Sequence, residues 1–284
     1  MNQSAQLLQD ADQNLMSADP ERVRRLRRKA VLDRLLSIVL PLLAVIVVLA
    51  FWQFFVIWRK VPPFIFPRLD DTLNSLRTNW PSIWPALFNT LQEAAIGFAL
   101  ANVLAIVGAT IFVHSRFAER TLFPLAVVVQ TVPIIVWSPI LVIIMPVDSL
   151  WPQVCIAFLI SFFPALVNMT QGLRMVDPLL LDLFRVLNAT RRQIFRKLRW
   201  PASIPSLFAS LRITSTLSLV GAIVGEYVAG SGQTIGYELI TAKQSLDTAL
   251  EMAVVLVATV TGVIIFLAVT GIERAVLARR GQGQ

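Results

Sequence analysis

The stretch AVVLVATVTGVIIFLAV at residues 253–269 contains no charged side chain. A second stretch without charge runs from Leu35 to Trp58. About 20 apolar residues in an α-helix cross the ~30 Å hydrocarbon core of a bilayer. Both stretches therefore predict membrane-spanning helices, and they place the chain among polytopic all-α membrane proteins.

The composition supports this fold class over the whole chain. Of the 284 residues, 56% are hydrophobic and 15% are charged, and the mean hydropathy is +0.70. Soluble domains rarely exceed half apolar residues. The apolar blocks predict an all-α bundle of six transmembrane helices, at residues 33–58, 86–113, 121–146, 152–175, 207–229 and 250–272.

The basic residues predict how the bundle is oriented. Of the 25 Lys and Arg residues, 20 fall before the first predicted span, in the even-numbered connections, after the last span, or at the ends of the spans that border these segments. Positive charge favours the cytoplasmic side, so both termini are predicted to be cytoplasmic. Residues 1–32 are expected to be a disordered, basic tail, 59–85 an outer loop with a short helix at Leu69–Trp80, and 273–284 a second cytoplasmic tail.

Several functions are made improbable by residues that the chain lacks. His114 and Cys155 are the only residues of their types, so a zinc site built from several His or Cys ligands is excluded. No Lys follows a Gly, so there is no phosphate-binding loop and no ATPase. No cofactor or metal is expected. The net charge of +8 is attributed to the cytoplasmic face and not to nucleic-acid binding.

The polar segment 177–205 carries the strongest local pattern. Asp177-Pro178 is a helix start, the following apolar residues recur at helical spacing, Asn188 is suited to a left-handed helix end, and Thr190 is suited to start a second helix. A helical hairpin with apolar and basic faces has two interpretations. It is a surface element bound to anionic membrane lipid, or a docking element for a cytoplasmic partner.

Residues 182–201 resemble the cytoplasmic signature of ABC importer permeases, E-A-A-x3-G-x9-I-x-L-P. Asp182-Leu183-Phe184 stands at E-A-A, Asn188 at the Gly, and residues 198–201 (LRWP) at I-x-L-P. The stretches WPASIPSLFASLRIT (200–214) and GAIVGEYVAGSGQTIGYELITA (221–242) are similar to permeases of the nitrate/sulfonate/taurine-type group. The resemblance extends over about residues 62–272.

The resemblance implies a type I importer of a bacterial inner (plasma) membrane, with a permease core at 86–272. Its expected partners are a cytoplasmic ABC ATPase dimer, an extracytoplasmic substrate-binding protein and a second copy of this chain. Leu183 and Phe184 are larger than the alanines of the signature, which implies a matched ATPase with a wider groove. The residues expected to couple to the ATPase are Asp182, Leu183, Phe184, Arg185, Leu187, Asn188, Arg192 and Pro201.

Two further stretches suggest a substrate class. QTVPIIVWSPILVI (130–143) and SFFPALVNMTQGLRMVDP (161–178) resemble the branch that carries heteroaromatic compounds, namely pyrimidines, thiamine precursors and riboflavin. Importers of sulfonates, taurine or nitrate remain the alternative within the same group.

Polar residues inside the predicted spans are the candidates for the translocation path, because burying them in a membrane is costly. These are Glu93, Asn102, Gln130, Asn168 and Glu226. A secondary transporter is a further alternative. Such transporters often contain repeated halves and acidic residues near mid-membrane, and this sequence shows neither feature. A membrane enzyme would need a catalytic cluster that one His, one Cys and no grouped acids do not supply.

Overall fold

The computed structural model describes residues 39–40, 43–145, 149–230 and 232–279, and within them all regular structure is helical. The chain forms two compact units, Met1–Val61 and Pro62–Gln284. The first unit contains α1 (Leu43–Trp58). This helix ends where Lys60 adopts a left-handed φ of 48° and the Val61 N–H donates to the Val56 carbonyl. The predicted tail 1–32 and the start of the first predicted span lie outside the described residues.

The second unit is a bundle of ten helices among the described residues, joined by short connections. They are α2 (Leu69–Thr78), α3 (Trp80–His114), α4 (Arg116–Thr131), α5 (Ile134–Ile144), α6 (Trp151–Arg174), α7 (Pro178–Val186), α8 (Arg191–Ile194), α9 (Ile204–Ala229), α10 (Ile235–Gln244) and α11 (Thr248–Arg279). A π-helical turn (Phe195–Arg199) and a short turn (Trp200–Ala202) join α8 to α9.

Four helices in this part of the chain are long and apolar enough to cross a membrane, namely α3, α6, α9 and α11. They correspond to four of the six predicted spans. The helices extend beyond two predicted limits, because α3 begins at Trp80 and α11 continues to Arg279. The residues predicted as the end of the outer loop and the start of the last tail are therefore helical.

The third predicted span, 121–146, is not one helix. The chain bends by 96° between α4 and α5, at Val132 and Pro133. Proline has no N–H to donate and disfavours helical backbone in the residue before it, so Val132 is extended (φ −71°, ψ 123°). The helices α4 and α5 count as a fifth span only if the two are taken together.

The centre of the bundle is α6. Half of its most apolar stretch is buried, against 17% for α11. A β-carbon placed on Gly97 of α3 would lie 2.6 Å from the Ala157 β-carbon, and one on Gly221 of α9 only 2.7 Å from the Ala157 Cα. Small residues thus let three helices meet at Ala157, as in many membrane bundles.

The contacts along α6 fix the direction of its neighbours. Gly97 and Gly108 lie next to Ala157 and Leu166, so α3 and α6 are parallel. Gly172 faces Ser206 whereas Gly225 faces Gln153, so α9 is antiparallel to α6. The bundle therefore has one end with the last turns of α3 and α6 and the first turn of α9, which we term the arginine-rich end. The opposite end holds α10 and the first turn of α11.

Candidate functional site

The segment 177–205 folds at the arginine-rich end as two helical arms. Asp177 begins the first arm, because its carboxylate accepts the Leu179 N–H at 2.9 Å and Pro178 occupies the first helical position. Both features satisfy or remove backbone donors that a helix start leaves without partners. The predicted start of α7 is therefore confirmed.

The turn between the arms is formed by local hydrogen bonds. Asn188 has φ 54°, its N–H donates to Arg185, and the N–H of Ala189 donates to Phe184 at 3.0 Å. This is the Schellman arrangement that ends helices at a left-handed residue. Thr190 and Gln193 then form a reciprocal capping box that starts α8. The left-handed Asn188 and the Thr190 cap were both predicted, and both are confirmed.

Asn188 offers a direct test of this turn. An L-residue in the left-handed region costs roughly 1–2 kcal/mol, less for Asn and nothing for Gly. We expect amide exchange at positions 188 and 189 in Asn188→Gly to be as slow as in the wild type, or slower. A β-branched Asn188→Val is expected to speed that exchange about tenfold. Hydrogen exchange of the two amides measures both effects, and equal exchange in the two variants would contradict the local account of the turn.

The first arm exposes an apolar face that the bundle does not cover. The exposed fraction is 78% for Leu179 and Val186, 67% for Leu187 and 51% for Leu183. Phe184 is partly buried. Asp182 and Arg185 form an exposed ion pair of 2.9 Å on the same helix, and Arg192 is exposed beyond the turn. Such a face, with charged residues beside it, is typical of a contact surface.

The second arm is fixed to the bundle. The ring of Phe195 lies 5.2 Å from His114 and 6.2 Å from Trp200, measured between ring centroids. Phe195 and Trp200 pack against the cluster formed by the buried residues Ala105, Ala109, Phe112, Ala165, Leu166, Met169 and Leu173. Pro201 follows in the short turn that leads into α9. The second arm is therefore held against α3, α6 and α9.

Three of the predicted path residues have partners within the protein. The Asn102 amide donates to Thr214 at 3.1 Å, and the Ser161 hydroxyl donates to the Thr214 carbonyl, which joins α3, α6 and α9. Asn168 donates to the Pro164 carbonyl of its own helix. Glu226 is considered with α10 below. These contacts give each residue a structural function, and their place in a path stays a prediction.

Gln130 lies elsewhere, on the wall of an apolar cavity of about 630 Å³ between α3, α4, α5 and α6. Glu93 is buried beside Glu226 and lines a smaller cavity of about 270 Å³ at the opposite end, with Asn89 and Gln153. The five predicted path residues therefore do not form one cluster in the single chain.

Glu226 caps α10, a helix that the sequence analysis did not predict. Its side chain is fully buried, and its carboxylate accepts the Gly236 N–H at 2.7 Å. The Thr90 hydroxyl accepts the neighbouring Ile235 N–H at 3.0 Å. A carboxyl oxygen at the start of a helix thus satisfies a backbone donor that has no partner within the helix. Thr90, Ile235 and Gly236 were not identified from the sequence, because their pairing joins residues 145 positions apart.

A group of four arginines was also not identified from the sequence. Arg116, Arg120, Arg174 and Arg199 line a pocket of about 370 Å³ together with Glu119, Phe112 and Val113. Arg174 forms an ion pair of 2.6 Å with Glu119. Burial, together with the nearby charges of Arg174 and Arg185, lowers the pKa of Arg199. The spacing of Arg116 and Arg120 on one helix was the available signal, but Arg174 and Arg199 come from distant segments.

Membrane-spanning helices, a central small-residue crossing and a helical hairpin at one end define a polytopic membrane protein. Residues 101–282 match the sequence profile of the family described as "Binding-protein-dependent transport system inner membrane component". The chain belongs to this family, and it is an ABC importer permease component of a binding-protein-dependent system. This decides between an importer and a secondary transporter in favour of the importer.

Named relatives cover most of the chain. The formylaminopyrimidine transport permease ThiX of Halalkalibacterium halodurans is 33% identical over 67% of this chain and 76% of its own length. The riboflavin transport system permease RibX of Chloroflexus aurantiacus is 30% identical over 64% of this chain and 68% of its own. The putative aliphatic sulfonates transport permease SsuC of Bacillus subtilis is 29% identical over 68% of this chain and 71% of its own length.

A solved structure supports the fold. The structure of the inward-facing MetNI methionine ABC transporter contains a chain that matches this one with a TM-score of 0.62 and 16% identity. The match covers 70% of this chain and 98% of the chain in that structure. At this identity the likeness concerns the fold alone. The architecture is that of type I ABC importer permeases, as the sequence predicted, and the relatives are transport permeases and not enzymes.

Proposed function

We propose that the chain is the permease subunit of an ATP-driven importer that moves a small heteroaromatic solute across a bacterial inner membrane. The observation that carries this proposal is the hairpin at 177–205, with an exposed apolar arm and an arm packed onto the bundle. A separate ATPase dimer binds α7, an extracytoplasmic binding protein delivers the solute, and a second copy of this chain completes the path. Both termini are cytoplasmic, with six spans per chain and surrounding membrane lipid.

The energetic argument concerns Leu179, Leu183, Val186 and Leu187. Complete burial of a Leu or Val side chain contributes about 1.5–3 kcal/mol, so covering these four on a soluble partner is favourable. Phe184, partly buried already, would extend the contact towards the bundle. Asp182, Arg185 and Arg192 supply polar contacts at the edge. ATP-driven closure of the ATPase dimer would then move α7, and Phe195 and Trp200 would transmit the movement to the spans.

The substrate class rests on the relatives. ThiX and RibX are named for transport of formylaminopyrimidine and riboflavin, and their identities are 33% and 30%. SsuC is named for aliphatic sulfonates at 29%, and a nitrate import permease NrtB of Synechocystis is 28% identical. These close values make a sulfonate or nitrate importer the second candidate. Ring-bearing solutes also suit a path between largely apolar helices.

The docking proposal is tested with the ATPase subunit of the complete transporter, co-expressed with this chain. Leu187→Asp and Phe184→Asp place a charge on or next to the contact, and we expect at least tenfold less ATPase recovered with the purified permease. Leu73→Asp is the matched control, because Leu73 is 47% exposed on α2 at the opposite end. If Leu187→Asp and Leu73→Asp retain equal amounts of ATPase, the docking interpretation of 177–205 is wrong.

The substrate proposal needs a separate measurement. Uptake of radiolabelled formylaminopyrimidine, riboflavin, taurine and nitrate is compared in cells that express the complete transporter. We expect uptake of one heteroaromatic compound and its loss when the gene for the permease is deleted. Uptake of taurine or nitrate alone would replace the heteroaromatic class by the second candidate.

A further inference from the structure

The arginine-rich end holds a pocket with more positive charge than its own side chains balance. Four arginines and one carboxylate line it, and the Glu119 carboxylate is paired with Arg174. Among the described residues, Arg116, Arg120 and Arg199 have no ion pair. Three guanidinium groups that share one concave surface repel each other unless an anion lies between them.

The start of α4 adds to this positive potential. Arg116 and Arg120 occupy its first turns, where the helix dipole is positive and acidic side chains are normally favoured. Arg199 reaches the same pocket from the π-helical turn, and it is less exposed than the other basic residues of that turn. Three separate elements therefore direct positive charge towards one volume of about 370 Å³.

The neighbouring apolar cavity indicates what kind of anion fits. That cavity of about 630 Å³ lies between the same helices, and Phe112 lines both it and the basic pocket. Gly108, Leu122, Leu125 and Ala126 continue its wall away from the arginines, into the apolar part of the bundle. A ligand with a phosphate at one end and a hydrocarbon chain at the other would occupy both volumes.

We infer that the basic pocket and the adjoining apolar cavity form a binding site for an anionic glycerophospholipid. The phosphate is held by Arg116, Arg120, Arg174 and Arg199, and one acyl chain lies between α3, α4 and α6 past Phe112. Basic pockets between spans on the cytoplasmic side are suited to acidic headgroups. The inference rests on the proposed topology, in which the arginine-rich end is cytoplasmic, and not on the solute or the ATPase.

The site would connect the lipid to the hairpin. Arg199 belongs to the turn that joins α8 to α9, whereas Arg116 and Arg120 belong to α4. A phosphate bound to all three would join these elements without any direct contact between them. The second arm of the hairpin would then be held by Phe195 and Trp200 on one side and by the lipid on the other.

Native mass spectrometry of the detergent-purified full chain tests the inference. Phosphatidylglycerol, phosphatidylcholine or inorganic phosphate is added, and the bound fraction is measured. We expect phosphatidylglycerol to be retained at least tenfold better than phosphatidylcholine. The variant R116Q/R120Q is expected to lose that preference, since each basic residue near an anionic lipid contributes about a factor of five to ten.

The matched control is R196Q/K197Q, which removes the same charge from exposed residues of the adjacent turn that do not line the pocket. Equal loss in the two variants would indicate diffuse attraction to the surface and overturn the site. Leu125→Trp fills the apolar cavity and leaves Arg116 and Arg120 unchanged. This variant is expected to weaken lipid retention. If inorganic phosphate competes with the lipid at equal concentration, or if Leu125→Trp has no effect, the ligand is a free anion and not a lipid.

Discussion

Replacing Gly236 with alanine is expected to prevent α10 from docking on α9. A β-carbon at this position would lie 2.4 Å from the Glu226 β-carbon, 2.5 Å from the Tyr227 nitrogen and 2.7 Å from the Ile223 carbonyl oxygen. Two of these atoms belong to the backbone and do not move by side-chain rotation. The displacement would also remove the hydrogen bond from the Gly236 N–H and leave the buried Glu226 carboxylate without this donor.

The two effects add in the same direction. Overpacking costs typically 1–3 kcal/mol, and an unsatisfied buried polar group costs about 1–3 kcal/mol more, with larger values for a charged group. We expect a lower yield of folded protein and rapid proteolysis between α9 and α11, measured on membranes before extraction. Gly271→Ala is the control, because no atom lies within 4 Å of its new β-carbon. Equal yields and cleavage rates in the two variants would mean that α10 is not held by this contact.

Replacing Gly221 with alanine is expected to separate the helices at the centre of the bundle. The new β-carbon would lie 2.7 Å from the Ala157 Cα, 3.2 Å from the Ala157 nitrogen and 3.2 Å from the Ile156 carbonyl oxygen. All three atoms are backbone atoms of α6, so α9 as a whole must shift. The cost is expected to be about 1–3 kcal/mol or more, with a lower midpoint of thermal unfolding in detergent.

The control for this second prediction is Gly262→Ala on α11. Its β-carbon would meet only the Leu219 side chain, at an ordinary contact distance of 3.7 Å. Alanine is also the better helix former, by about 0.5–1 kcal/mol in a helix interior, so this variant should melt at or slightly above the wild-type temperature. If Gly221→Ala and Gly262→Ala unfold at the same temperature, the helices tolerate a wider crossing than the structure indicates.

The hairpin was predictable from the sequence because its determinants are local. Asp177 caps α7 through an amide two residues away, and Thr190 exchanges hydrogen bonds with Gln193 three residues away. Asn188 ends α7, with its own N–H bonded to the Arg185 carbonyl and the next N–H, of Ala189, bonded to the Phe184 carbonyl. In each case the residue that determines the turn and the backbone group that it satisfies fall within one short window of sequence.

The spans were predictable for a different reason. A long uncharged stretch such as 253–269 has few alternatives to a membrane helix, whatever surrounds it. The break at Val132 and Pro133 was harder to predict from the sequence, because proline in a span permits either a kink or a complete break. The angle of 96° depends on how α4 and α5 pack, which the local sequence does not determine.

The contacts missed by sequence reasoning join distant segments. Glu226 was assigned to the path because an acid within a span is usually functional. The structure places it against the start of α10, where Thr90 of α3 satisfies the adjacent amide. Asn102 was assigned in the same way, yet it bonds to Thr214, which lies 112 positions later. A polar residue in a span can bind solute, a neighbouring helix or both, and only the three-dimensional pairing reveals the helix contact; the place of these residues in the path stays a prediction.

The π-helical turn at Phe195–Arg199 lies in the connection between α8 and α9. Its wider hydrogen bonds, such as the one from the Trp200 N–H to the Phe195 carbonyl, accommodate one residue more than an α-helix of the same length. The extra residue is absorbed within the turn, so the loss of one residue there would return the turn to α-helix and leave the direction of the flanking backbone nearly unchanged. Within α7 or α9, by contrast, one residue more or less would turn the following side chains by about 100° around the helix axis, so the π-helical turn is the place where the hairpin best tolerates a change of length.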